Sequence, residues 1–173
     1  RTDLAKPRWD GSTVLAYDQA TVDAMNPEDM FNSISDSTNG FVMPGWEPER
    51  LSRVKELFEA YKDVTEEKLF DNLVYFLKAI MPTCDKYGIN MAIHPDDPPY
   101  PIFGLPRIIT NEENLDRFLA LVDSPANSLC LCTGSLGCAA SNDVVAMVKK
   151  YAAMDRIGFM HIRNVKIMDD GSF

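Results

Sequence analysis

Three residues of metal-binding type stand at the ends of apolar runs. His94 closes "INMAIH" (89–94), Cys132 closes "SLCLC" (128–132) and His161 lies near the end of "IGFMHI" (157–162). They include both histidines of the chain. Imidazole and thiolate suit a divalent transition ion. The intervals between the three each accommodate one βα repeat of about 30 residues or more. Ligands carried on successive strand ends would converge on one point and leave positions open for a carboxylate, water or substrate, as catalytic rather than structural metal sites do. Each residue also has a plainer reading: a strand-end histidine serves as a hydrogen-bonding group, and a lone cysteine as a small buried hydrophobe.

The surroundings add polar chemistry. In "HPDDPPYPIFGLPRI", residues 94–108, Pro95, Pro98, Pro99 and Pro101 remove amide donors, fix φ and forbid a helix, so a stiff loop should hold His94, Asp96 and Asp97 at a strand's carboxyl end. Asp96 and Asp97 are candidates to orient His94 or a bound water from behind the ligands; an Asx-turn is the alternative for either. Arg163, two residues past His161, is a candidate to grip a substrate carboxylate in a bidentate pair, and Asn164 to donate to a hydroxyl. A salt bridge at the rim is the alternative for Arg163. Cys130 shares the strand face of Cys132 and reads as core filling, with a C-x-C ligand pair as the alternative.

These residues need a frame to position them. Residues 1–45 are punctuated by Gly, Pro, Asn, Ser and Asp, and only "STVLAYD" suggests a strand, so a long loop or lid is expected there. From 46 to 173 helical and strand patterns alternate. Pro48 suits a first helical turn, with Leu51, Val54, Leu57, Phe58 and Tyr61 as one apolar stripe. A second helix should start after Thr65 as N-cap, with Val64 and Leu69 as a hydrophobic staple. Its buried face is expected to be Leu69, Leu73, Phe76, Leu77 and Ile80, with a kink or early end at Pro82 and a stop at Gly88. A third helix is expected from a Thr110–Glu113 capping box with Leu115, Phe118, Leu119 and Val122 inward. A loop "TGSLGCAAS" should follow the second strand, and then a helix with Val144, Val145, Val148 and Tyr151 inward. Strands alternating with helices over short connections mean a parallel sheet; doubly wound sheets and (β/α)8 barrels both fit. No glycine-rich nucleotide fingerprint follows a strand.

Composition narrows the partners. The 173 residues suffice for one ordinary domain, and 46% apolar with 25% charged residues is globular usage. Seventeen basic against 26 acidic residues, a net charge of −9, argue against nucleic acid or an anionic membrane as main partner. No apolar run approaches the roughly 20 residues needed to span a bilayer. Four cysteines (Cys84, Cys130, Cys132, Cys138) are too few and clustered for a secreted disulfide framework, so a reduced, cytoplasmic protein is expected. An opening without methionine, and an end just past a strand-like run, suggest a piece of a longer chain.

At "MAIHPDDPPYPIFGLPRI", "CTGSLG" and "MHIRNVK", with "RTDLAKPRWDGSTVLAYD" and "PGW" upstream, the sequence closely resembles the mannonate dehydratase family of hexuronate catabolism, essentially along its whole length. The resemblance implies a (β/α)8 TIM barrel of the xylose-isomerase-like kind, of which this chain supplies part. It implies Mn²⁺ or Fe²⁺ as cofactor and loss of water from D-mannonate to give 2-keto-3-deoxy-D-gluconate. It makes His94, Cys132 and His161 metal ligands, and places a fourth ligand, an aspartate, and a catalytic tyrosine beyond Phe173. The expected partners are a small sugar acid and a second copy of the chain in a homo-oligomer, a dimer. Two rivals remain: another metal-dependent sugar isomerase or epimerase of the same barrel class, and a non-catalytic protein stabilised by zinc.

Overall fold

A computed structural model describes residues 5–26 and 53–173, which fall into two compact units. The expectations for Pro48, Leu51, the side chain of Val54 and the segment "PGW" lie outside what is described. Among the described residues no helix is long and apolar enough to cross a membrane.

The first unit spans residues 1–63 with two short segments, 102–105 and 168–173. The loop-like early sequence holds an antiparallel hairpin, β1 (Ala5–Pro7) with β2 (Thr13–Leu15), and a helix α1 (Gln19–Ala24). Its turn is closed by Asp10, which accepts from the Ser12 amide (3.0 Å). Asp18 caps α1 by accepting from the Thr21 amide (2.7 Å). Tyr17 and Phe173 exchange backbone hydrogen bonds and stack their rings 5.0 Å apart. In α2 (Val54–Tyr61) the expected apolar stripe is not a buried one: Leu57 and Tyr61 are exposed, and Phe58 meets Phe103 edge-on.

The second unit carries the chemistry. Its elements run α3 (Glu66–Tyr87), β3 (Met91–Ile93), α4 (Glu112–Leu121), β4 (Asn127–Cys132), α5 (Thr133–Gly137), α6 (Val144–Ala153) and β5 (Ile157–His161). The strands form one parallel sheet in the order β3-β4-β5. As expected, Thr65 caps α3, accepting from the Lys68 amide (3.2 Å), and Gly88 ends it in the left-handed region at φ 65°. Pro82 does not end the helix early. It sits inside the 22-residue α3 on the exposed side, where water can take the carbonyl left without its amide donor. The buried face is rotated from the expected one: Phe70, Leu77, Met81 and Cys84 are buried, Leu69, Leu73 and Ile80 pack at its margin, and Phe76 is half exposed. Phe76 instead lines a cavity of about 440 Å³ beside His94.

Helix α4 starts one residue later than the capping box implied. Asn111, not Thr110, caps it, accepting from the Asn114 amide (2.9 Å), while Thr110 Oγ1 accepts from the Asn114 side chain (3.0 Å). Leu115, Phe118 and Leu119 are buried as expected. In α6, Val145 points outward at 65% exposure and Met147 takes its place in the core. Val144, Met147, Val148 and Tyr151 follow the i, i+3, i+4, i+7 spacing that a single helical face requires, which Val145 breaks. Tyr151 is fully buried, yet its hydroxyl reaches Glu112 O and Asp116 Oδ1 (3.0 Å each), and Lys150 binds the same two residues. The polar tip therefore ties α6 to α4.

The strands are not equally covered. β4 is buried throughout, whereas on the outer strands Met91, Phe159 and Met160 are exposed. Leu129 and Leu131 face the helical core, and alternation puts Ser128, Cys130 and Cys132 on the other face. Between β4 and β5 the pairing passes from Leu129↔Ile157 to Cys130↔Phe159, which leaves Gly158 unpaired as a bulge. This one extra residue brings His161, rather than Met160, opposite Cys132. A Cβ on Gly158 would collide with Ser128 Oγ and stand 3.3 Å from Ser128 Cβ. Gly158→Ala in the full-length protein is therefore expected to lose about 1–3 kcal/mol of stability, as overpacked interiors do. Urea unfolding measures it, and Ser128→Ala in the same chain should recover part of the loss.

Candidate metal centre

Because the strands are parallel, their carboxyl ends lie on one side, and the three candidate ligands end up there together. His94 is the first residue past β3, Cys132 the last of β4 and His161 the last of β5. One ligand atom from each lies within 4.8 Å of the others. His94 Nε2 is 3.2 Å from His161 Nδ1. Donors about 2.0–2.3 Å from a tetrahedral ion stand roughly 3.3–3.8 Å apart, so the cluster is near the size a metal needs.

The tautomer of His94 agrees with that use. His94 Nδ1 lies 2.7 Å from the Pro95 carbonyl, which can only accept, so Nδ1 carries the proton and the Nε2 lone pair faces His161. The proline loop thus orients the histidine through its own backbone. Asp96 is not what aims His94: its carboxylate accepts from the amides of Ile108 (3.1 Å) and Ile109 (2.9 Å), and its amide donates to Ile109 O (2.9 Å). It closes the loop on itself.

Cys132 is fully buried. Burial alone would push its thiol up, but hydrogen bonds from the Ser135 hydroxyl and amide and from Arg163 outweigh this and bring it down from 9.0 to about 7. Its neighbours behave oppositely. Burial, and then the nearby Cys132, raise Cys130; burial, and then the Asp97 charge, raise Cys138 to about 11. Of these three thiols only Cys132 is shifted towards the thiolate form that a metal would take.

Asp97 and Arg163 meet across the site, with Asp97 Oδ2 2.5 Å from Arg163 Nη2. The same nitrogen lies 2.8 Å from Ser135 Oγ and 3.6 Å from Cys132 Sγ. Thr133 fixes the Arg163 backbone, donating to its carbonyl (2.5 Å) and accepting from its amide (3.0 Å). Asn164 is exposed in the segment after β5.

Sequence reasoning read "TGSLG" as a loop; it is the short helix α5, capped by Cys132 itself, and it buries Ser135 against the sulfur. A serine three residues after a cysteine that ends a strand was the available signal. Gly134 was also passed over. A Cβ there would stand 2.6 Å from Arg163 Cβ, so only glycine leaves room for the arginine's course over α5.

Fold and cluster together describe a parallel α/β chain with a candidate His–Cys–His metal centre at its strand ends. The chain belongs to the D-mannonate dehydratase (UxuA) family, whose model matches residues 1–173. It is 57% identical to a mannonate dehydratase of Brachyspira hyodysenteriae and 50% identical to one of Bacillus subtilis, over its full length in both cases. It covers 48% and 47% of those proteins, about half their length. The crystal structure of mannonate dehydratase from Streptococcus suis serotype 2 superposes with a TM-score of 0.77 at 42% identity, over 96% of this chain and 42% of that one.

His94→Ala, Cys132→Ala and His161→Ala in the full-length protein are each expected to abolish bound metal, since each removes a donor from a cluster of three. Cys130→Ala should keep it. Elemental analysis of the purified proteins measures this, and normal metal content in a variant removes that residue from the centre.

Proposed function

We propose that the full-length protein removes water from D-mannonate to give 2-keto-3-deoxy-D-gluconate, using a divalent ion, Mn²⁺ or Fe²⁺, held by His94, Cys132 and His161. The observation that carries this reading is the convergence of those three ligand atoms within 4.8 Å at the ends of adjacent parallel strands. Family membership supplies the reaction. The frame we infer is a (β/α)8 barrel of which residues 1–173 form part. Sequence-adjacent strands lying side by side, all parallel and without a reversal of order, are what a barrel arc provides.

The reaction takes a proton from C2 and the hydroxyl from C3, and the resulting enol tautomerises to the C2 ketone. The C2 proton is poorly acidic beside a carboxylate, so charge building on the acid must be neutralised. A divalent ion supplies that as Lewis acid. Three protein donors leave further positions for an additional protein ligand, water or the substrate's oxygens. Arg163 and Asn164 face the sugar acid in this reading. The Arg163 contacts to Asp97, Ser135 and Cys132 all use Nη2, so a substrate carboxylate would meet the other nitrogens of the fork. Asp96 and Asp97 are engaged by loop amides and by Arg163, which favours an acid and a base other than these two.

The test is turnover of mannonate by the full-length protein, with and without a chelator, after reloading with Mn²⁺, Fe²⁺ or Zn²⁺. Chelation should abolish turnover, and Mn²⁺ or Fe²⁺ should restore it. Turnover of uronates or other aldonates in place of mannonate would contradict the substrate. Undiminished turnover after complete metal removal would contradict the centre. Arg163→Lys is expected to lower kcat/KM for mannonate at least tenfold, because an ammonium cannot reproduce the bidentate fork; unchanged kinetics would return Arg163 to a purely structural role.

A further inference from the structure

Two donors converge on the buried sulfur of Cys132, the Ser135 hydroxyl at 3.2 Å and the Ser135 amide at 3.4 Å, and Arg163 Nη2 stands beyond them at 3.6 Å. Ser135 is itself without solvent exposure, so its hydroxyl must find partners inside. It has one proton and two acceptors in reach, the sulfur and Asp97 Oδ2 at 3.0 Å. Arg163 decides between them. Its Nη2 takes the Asp97 oxygen at 2.5 Å and fills a lone pair of Ser135 Oγ at 2.8 Å. With much of the carboxylate's charge taken up by the guanidinium, Asp97 competes less strongly for the serine proton, which the sulfur also has in reach. Gly134 keeps this arrangement open by carrying no side chain beneath Arg163.

We propose that Ser135 is a positioning residue for the metal, fixing the Cys132 sulfur as a directed, hydrogen-bonded ligand, and that the Asp97–Arg163 pair holds the Ser135 hydroxyl in that role. The inference rests on the reading of His94, Cys132 and His161 as a metal centre. Hydrogen bonds to a ligating sulfur lower the energy of its lone pairs and restrict its rotation. Their loss should weaken binding by freeing the sulfur to rotate, and should raise its lone pairs and so move the sulfur-to-metal charge transfer to lower energy. Partners behind a ligand typically contribute about 10–100-fold in metal affinity.

The experiment titrates the metal-free full-length protein with Co²⁺ and follows the thiolate-to-cobalt absorption. In the wild type the band should appear. Its absence would remove the metal centre, and the proposal with it. Ser135→Ala is expected to weaken Co²⁺ binding about tenfold or more and to shift the band to longer wavelength. Wild-type affinity and an unshifted band in Ser135→Ala would overturn the role of Ser135 while leaving the metal centre standing. Asp97→Asn, a near-isosteric change at a partly exposed position, carries the test if Ser135→Ala does not fold. A smaller loss and a shift in the same direction support the proposal, and wild-type behaviour there overturns it.

Discussion

The placement of one glycine decides whether the site exists. β5 must deliver an imidazole opposite Cys132, and strict pairing with β4 from Ile157 onward would put Met160 there instead. Skipping Gly158 shifts every later residue by one position and one face, the most drastic change a strand's twofold period permits. Ser128 presses against Gly158 from β4, so a side chain at 158 is sterically opposed. The bulge thus couples the packing of the sheet's middle to the chemistry at its end. Phe159 and His161, whose rings lie 6.5 Å apart, are carried together onto the face of Cys130 and Cys132.

Once the candidate ligands share a face, the loops finish the site by fixing atoms rather than elements. The proline loop removes amide donors, yet its backbone is held: Asp96 takes two amides, Arg107 donates to Pro98 O (2.6 Å), and the Pro95 carbonyl sets the His94 tautomer. On the other side, α5 turns Ser135 back onto the sulfur that caps it. Asp97 and Arg163 join the proline loop to the segment after β5 through a bond between partly exposed side chains, and Ser135 of α5 lies 2.8 Å from the same nitrogen. A surface pair of this kind adds little to stability. Its consequence is geometric, since it brings the β3, β4 and β5 loops to one point.

The sequence disclosed this arrangement unevenly. Elements with strong local signals were legible: Thr65 and Gly88 bound α3, and Leu115, Phe118 and Leu119 turned inward. The convergence of the three candidate ligands was legible because residue type and strand-end position coincided. Faces and registers were harder. Val145 and Met147 are both apolar, and only the direction of the sheet decides which is buried. Pro82 argued for a stop that exposure made unnecessary. Ser135 was hidden because a five-residue helix carries no periodicity, and the bulge because "IGFMHI" reads as an ordinary strand until a neighbour's side chain approaches Gly158. An isolated glycine inside a strand pattern was the only local warning.

In the proposed centre the buried Cys132 sulfur and two imidazoles, brought together by the β3-β4-β5 register, hold a divalent ion. X-ray absorption at the metal edge of the full-length, Mn²⁺- or Fe²⁺-loaded protein tests it directly. One sulfur at about 2.3 Å or slightly longer and two imidazole nitrogens are expected in the first coordination sphere. A sphere of oxygen and nitrogen alone, with no sulfur, would contradict it.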